Sequence, residues 1–283
     1  MRNDVRKTYK LYIGGKFVRS ESGQILEVLD HKGQFLANVS KASRKDVRDA
    51  VVAARSAQPQ WAGATAYNRG QILYRIAEML EGRRDQFVNE IQMSTGKTLK
   101  QATTEVERAI DSWVWHAGWP DKIDAVAGNM NPVAGPFFNI STLVPTGVVA
   151  AISPSSSSLV GLVNTIAPAI VSGNSIVVLA NTDHPLPAAT LSEVFETSDL
   201  PAGVVNLLTG LESELASWLA THQDVNAIDL EGASKVSDLE IDAAINLKRV
   251  IRPGDFDRNN SIGNFQHICA LMEVKTVWHP KGH

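Results

Sequence analysis

The sequence predicts an α/β fold: a parallel sheet with flanking helices, accompanied by N-terminal helices, an extended arm and a closing strand. Three observations in residues 145–251 predict it. Short apolar runs recur, helix-length segments separate them, and Gly or Pro bounds most of the runs. Strands buried on both faces read as continuous apolar runs of this kind. Strands spaced by ten or more helical residues imply right-handed crossovers and parallel pairing. Such sheets bind ligands at the carboxyl ends of their strands.

In chain order, residues 9–18 place Gly14-Gly15 between apolar runs, a hairpin signature, and residues 28–39 read as a second extended pair around Gly33. Ser43, with Asp46 three residues on, opens a helix to about residue 57 whose one face carries Val47, Val51 and Ala54. Residues 68–92 form the longest helical pattern, with Ile72, Ile76, Met79, Leu80, Phe87 and Ile91 near a 3.6 period. Arg83 and Arg84 there read as a solvated face rather than a phosphate site. Thr95-Gly96-Lys97 breaks the pattern before a helix over 99–118. Trp113, Trp115 and Trp119 on and after it read as core rather than as a stacking platform. Residues 130–145 have little helical character and read as an extended arm. Strands at 145–154, 173–179, 200–210, 227–230 and 248–251 then alternate with helices at 158–171, 185–198, 212–222 and 235–246. Residues 252–267, polar and rich in Gly, Asp and Asn, read as a linker or surface loop. The alternation over 268–278 reads as a final strand. The expected organisation is therefore an α/β domain at 1–251, with its arm at about 130–145, the linker at 252–267, and a C-terminal strand and tail at 268–283.

With 283 residues, 44% hydrophobic and 20% charged, one or two domains and a substantial core are expected. A net charge of -3 argues against nucleic acid. The one cysteine, Cys269, precludes an internal disulfide and fits a reducing compartment. Residues 1–7 are polar, unlike a secretory signal. The most apolar stretch, 159–180, is interrupted by Asn164, Pro168, Gly173 and Asn174, so no membrane span is expected. The reading is a cytoplasmic protein.

Direct routes to chemistry are few. His279 and His283 are four apart but lack a third metal ligand. The run 155–158, four serines, lacks the Gly-x-Ser-x-Gly elbow of a hydrolase. It reads as a polar turn in which Ser157 or Ser158 caps a helix. Asp229 and Glu231 alternate on a strand and read as surface acids. Cys269 lies two residues from His267, on the same side if the segment is a strand, yet a small buried hydrophobe is the expected role.

Phrases in order along the chain resemble the aldehyde dehydrogenase superfamily. They are residues 12–15, Thr95-Gly96-Lys97, Ala117-Gly118-Trp119, residues 145–154, Gly173-Asn174, and residues 200–210, 222–228, 246–250 and 273–278. The resemblance covers about 1–251 and 268–279 and implies a Rossmann-like sheet that binds NAD or NADP. It further implies a second domain carrying a cysteine nucleophile, and an arm with a closing strand that builds oligomers. Carried over by position, the cofactor-binding residues are Ile152, Ser153, Pro154, Asp183, Gly210, Gly232 and Ser234.

Several positions depart from the family pattern. Where the family continues Ile-Ser-Pro with Trp-Asn-Phe-Pro, this chain has four serines, with Ser156 at the oxyanion-holding Asn. The lysine that contacts the cofactor ribose is Ala180. The Phe-Thr-Gly-Ser-Thr turn that holds the pyrophosphate at a helix N-terminus is Leu230-Glu231-Gly232-Ala233-Ser234, which puts the Glu231 charge near two phosphates, with Lys235 close enough to offset it. Pro253 stands at the catalytic glutamate, and nearly all of the catalytic domain is absent between there and the closing strand. No catalytic residue is assigned. The expected function is a non-catalytic, pseudoenzyme-like subunit that assembles by strand addition with a full-length aldehyde dehydrogenase, or with itself, and supports or regulates it. The alternatives are an NAD(P)-dependent aldehyde oxidoreductase and a nucleotide-binding module without redox chemistry.

Overall fold

A computed structural model describes residues 6–259 and 262–282. The chain opens with five short strands: β1 (Thr8–Tyr9), β2 (Leu11–Ile13), β3 (Lys16–Val18), β4 (Ile25–Leu29) and β5 (Phe35–Ser40). The expected hairpins are β2–β3, turning at Gly14 and Gly15 with positive φ, and β4–β5. Helices α1 (Arg44–Gly63), α2 (Ala66–Glu81), α3 (Arg84–Thr95), α4 (Leu99–Ala117) and α5 (Ile123–Ala127) follow.

Ser43 and Asp46 form a reciprocal capping box at α1. The helix outruns the expected end at residue 57 and carries Pro59 inside it. Its last turn is held by Trp61, which is fully buried and donates from Nε1 to the Ile170 carbonyl at 2.8 Å. The long pattern over 68–92 is two helices, because the chain turns at Gly82 and Arg83 between α2 and α3. Trp113 is fully buried, and Trp115 and Trp119 pack partly buried against the same core, as the spacing implied.

The arm is β6 (Asn129–Asn131) and β7 (Phe137–Pro145). The α/β unit is then β8 (Val148–Ile152), α6 (Val160–Val171), β9 (Ser175–Leu179), α7 (Leu186–Glu196), β10 (Val205–Leu208), α8 (Glu212–Thr221), β11 (Ala227–Asp229), α9 (Val236–Ala243), a 3-10 turn (Ala244–Asn246) and β12 (Arg249–Ile251). Strand order is β12-β11-β8-β9-β10-β2-β3, with β8 to β12 all parallel and β2 and β3 antiparallel at one edge. This is a mixed α/β fold with a Rossmann-like parallel sheet. Every residue of β8, β9, β10 and β11 is buried, which is why these strands read as unbroken apolar runs. The chain leaves β8 through β9 and β10, then returns to β11 on the other side of β8. That reversal opens a crevice at the carboxyl ends of β8, β9 and β11.

After β12 the structure departs from the expected strand at 268–278. Residues 265–270 are a helix, α10 (Phe265–Ala270), capped by the Asn264 side chain, and the strand is β13 (Met272–Pro280). The five-residue apolar run 268–272 cannot by itself distinguish strand from helix, and here the cap decides. β13 runs antiparallel to β7 in nine residue pairs, so the third sheet is ordered β13-β7-β6.

Candidate functional site

The crevice at the switch point is lined by Ile152, Ser153 and Ser155 after β8, by residues 179–183 after β9, by Glu212 at the start of α8, and by Gly232 and Ser234 before α9. Its volume is about 290 Å³. Five of the seven expected cofactor-binding residues therefore share one cleft: Ile152, Ser153, Asp183, Gly232 and Ser234. Pro154 is buried beside it against Gly161, and Gly210 lies behind it, its carbonyl accepting from Thr182 Oγ1 at 3.0 Å.

Gly232 is required by contact rather than by φ. A Cβ there would lie 2.1 Å from the Ser153 carbonyl oxygen, because the turn after β11 crosses directly over the end of β8. The Gly232 amide donates to the Ile152 carbonyl and the Ser153 amide to the Leu179 carbonyl, both at 3.0 Å. These bonds fix the cleft and engage the Gly232 and Ser153 amides.

Two carboxylates accept from residues that lead into helices at this edge of the sheet. Glu212 Oε1 accepts from the Ser234 amide at 2.7 Å and from Ser234 Oγ at 2.9 Å, just ahead of α9. Glu105, buried on α4, accepts from Ser158 Oγ at 3.2 Å and from the Leu159 amide at 2.8 Å, at the start of α6, and pairs with Lys97 at 2.6 Å. The N-cap of α6 is Leu159 rather than the expected Ser157 or Ser158, although Ser157 Oγ accepts from the Gly161 amide of the first turn at 2.6 Å. Among the described residues no Lys or Arg lines the cleft, and Ala180 does. A phosphate oxygen about 4 Å from the Glu212 carboxylate would meet a repulsion of about 1–4 kcal/mol.

The expectation for Glu231 is corrected. Its carboxylate turns away from the cleft to accept from the Gly254 amide at 3.0 Å, and lies 3.7 Å from Arg258 Nε. Beside the expected Asp183, the acid in the cleft is Glu212, which sequence reasoning missed. The only signal was an acidic residue at the first helical position after Gly210.

Asp229 is likewise not a surface acid. It is buried at 1% exposure, and Arg258 Nη2 lies 2.7 Å from its Oδ2. The pair makes an ion contact without hydrogen-bond geometry at those atoms. Arg258 also donates from Nη1 to the Asn164 carbonyl at 3.1 Å, and its own carbonyl accepts from Asn164 Nδ2 at 2.7 Å. His267 lies 3.7 Å from Asp229 and stacks on Phe256. Burial opposes the charge on Asp229, but Arg258 and His267 together hold its carboxyl below the usual range. Burial pushes the His267 imidazole down. The segment after β12 thus anchors a buried polar cluster beside the strand ends.

Cys269 sits in α10. Burial raises its thiol pKa, the reverse of what a nucleophile needs. Two residues apart on a helix point to different sides, so the shared side expected for His267 and Cys269 does not arise. Pro253 lies in the exposed loop after β12. Ser156 is exposed and exchanges hydrogen bonds with the Asn259 side chain. Among the described residues no cluster of His, Cys, Asp and Glu is placed to hold a metal, and His283 lies outside them. No helix among them is long and apolar enough to cross a membrane.

A family model described as "Aldehyde dehydrogenase family" matches residues 17–252. The chain belongs to the aldehyde dehydrogenase family. An alpha-ketoglutaric semialdehyde dehydrogenase of Bacillus subtilis is 33% identical over 243 residues, 85% of this chain and 49% of that protein. A D-glyceraldehyde dehydrogenase (NADP(+)) of Thermoplasma acidophilum is 31% identical over 226 residues, 80% of this chain and 45% of that protein. The NAD+ complex of an aldehyde dehydrogenase from Bacillus cereus superposes with a TM-score of 0.82 at 26% identity, covering 86% of this chain and 50% of that one. The chain spans about half the length of the curated relatives it matches. The matched residues 17–252 of this aldehyde dehydrogenase family chain contain the cleft, and the family match ends at the start of the segment that carries Arg258.

Proposed function

We propose that this chain is a non-catalytic subunit of the aldehyde dehydrogenase family. It assembles by strand addition with a full-length aldehyde dehydrogenase, or with a second copy of itself, and supports or regulates that partner. The observation that carries this reading is the short passage between β12 and β13. The chain leaves the sheet at Ile251 and enters the closing strand at Met272. Arg258 and His267 fill that passage with a buried cluster rather than opening it to a second domain. The raised thiol of Cys269 and the proline at 253 agree with it. β13 supports the assembly, since only β7 pairs with it among the described strands, and Val274, Val277 and Trp278 along it are exposed.

The second reading is an NAD(P)-dependent aldehyde oxidoreductase that converts aldehyde to carboxylic acid. Family membership favours it, as do the dehydrogenase names of the relatives, one specified for NADP(+) and one solved with NAD+. In either case NAD or NADP is the cofactor to test, with weakened binding expected from the cleft.

The two readings separate in one experiment. The purified chain, alone and in any complex recovered from its native cell, is assayed for aldehyde-dependent NAD(P)H formation and for mass by light scattering. A chain that is inert when isolated and is recovered from the cell in a complex with a dehydrogenase supports the first reading. Turnover by the isolated chain overturns it and establishes the second.

A further inference from the structure

We propose that Glu212 is the specificity-determining residue of the cleft: its carboxylate occupies the anion position and bars phosphate-bearing ligands such as dinucleotides. The inference rests on the reading above only in taking this cleft as the family's cofactor region.

A pyrophosphate needs hydrogen-bond donors and positive potential, which a helix N-terminus supplies. At α9 both donors of Ser234, amide and hydroxyl, already serve one oxygen of Glu212. At α6 the Ser158 hydroxyl and the Leu159 amide already serve Glu105. At the cleft floor the Ser153, Ala180 and Gly232 amides are held by the carbonyls of Leu179, Leu208 and Ile152. The two acids are not equivalent. Glu105 is buried and pinned by Lys97, so it belongs to the architecture. Glu212 is half-buried on the first turn of α8 and is held through Ser234 alone among the contacts described for it. Asp183, exposed across the cleft, adds like charge, and no described cation lines the cleft to compensate. Removing the Glu212 carboxylate frees two donors and removes one negative charge, with the α9 N-terminus left open. Glu231 does not share the role, since it faces the Gly254 amide and Arg258.

The test is NAD titration by calorimetry and thermal shift on the full chain, comparing wild type with Glu212→Ala, Glu212→Gln and Glu214→Ala. Glu214 lies on the same helix but pairs outward with Lys41 at 2.7 Å, so it controls for net charge. Glu212→Ala is expected to bind NAD at least about tenfold more tightly than wild type, with a matching rise in melting temperature. Glu212→Gln, which keeps an acceptor for Ser234 but loses the charge, is expected to gain less than Glu212→Ala. Glu214→Ala is expected to gain nothing. Wild type binding NAD as tightly as Glu212→Ala overturns the inference. So does a folded Glu212→Ala chain with no gain, or an equal gain in Glu214→Ala. Tight NAD binding by wild type without aldehyde turnover would sink this inference and leave the subunit reading standing. Turnover would sink that reading whatever the variants bind.

Discussion

Arg258 comes from a segment whose composition reads as loop, yet its side chain is only 1% exposed. It is there because Asp229 ends β11 inside the molecule, and an ionised carboxylate at that depth needs a partner. Replacing Arg258 with Met should cost about 3–5 kcal/mol, because the buried Asp229 is left uncompensated. Adding Asp229→Leu should recover most of that loss. Urea unfolding of the three chains measures both effects, and a single variant within about 1 kcal/mol of wild type would remove Arg258 from this role.

The buried histidines set the acid limb. Burial pushes His116 down to about 3 and pushes His267 down as well. His116 is neutral when folded and titrates near 6.5 when unfolded, and His267 shifts in the same direction. Below about pH 6.5 the unfolded chain takes up protons that the folded chain refuses, so this stability is full above that pH and drains as pH falls. The His116 share of the slope approaches about 1.4 kcal/mol per pH unit. Asp229 acts lower: its depressed folded value keeps its contribution above the ordinary carboxylate range and loses it below. His116→Gln should flatten unfolding free energy between about pH 4 and 6, and an unchanged slope would assign the limb elsewhere.

The strands of the parallel sheet were legible because burial on both faces leaves a pure apolar signal between glycines. The capping box of α1 and the hairpin at Gly14-Gly15 were equally plain, since each is local chemistry. What escaped the sequence was the break at Gly82, the placement of Pro59 inside α1, whose last turn a long-range bond from Trp61 holds, and α10 in place of a strand, where the Asn264 cap outweighed the apolar run. The site was legible in the same proportion. Position along the chain gave the residues that gather at the cleft, but not the direction of a side chain, so Glu231 was credited with the charge that Glu212 supplies. Gly232 is where element packing and site coincide. Alanine there would drive a Cβ into the Ser153 carbonyl, forcing the turn before α9 away from β8. Gly232→Ala should destabilise the chain by about 1–3 kcal/mol and raise hydrogen exchange in both β8 and the turn. Loss of protection confined to the turn would show that the close approach is not what secures the two.

The proposed assembly turns on the third sheet. β7 and β13 are each nine residues, about 30 Å of paired strand. Register places Ile140 opposite Val277 and Leu143 opposite Val274, while Phe137 meets the Trp278 ring at 5.9 Å. Val274 is 68% and Trp278 58% exposed, so this ribbon offers apolar surface on both faces and an unpaired backbone edge at β13. Isolated three-stranded sheets with such edges pair with other chains unless charge or proline blunts them. Lys275 and Glu273 supply some charge, but they alternate with the apolar residues and leave a continuous track. Val274→Lys with Val277→Lys therefore adds two charges, one to each face of β13. Both sites are exposed, so the monomer fold should be unchanged by circular dichroism and by melting temperature. If the sheet adds strands to a partner, light scattering should show wild type as an oligomer or in a complex and the double variant as a monomer. If both chains have the same mass alone and in the presence of the recovered partner, the interface lies on another surface and β13 serves only to close its own sheet.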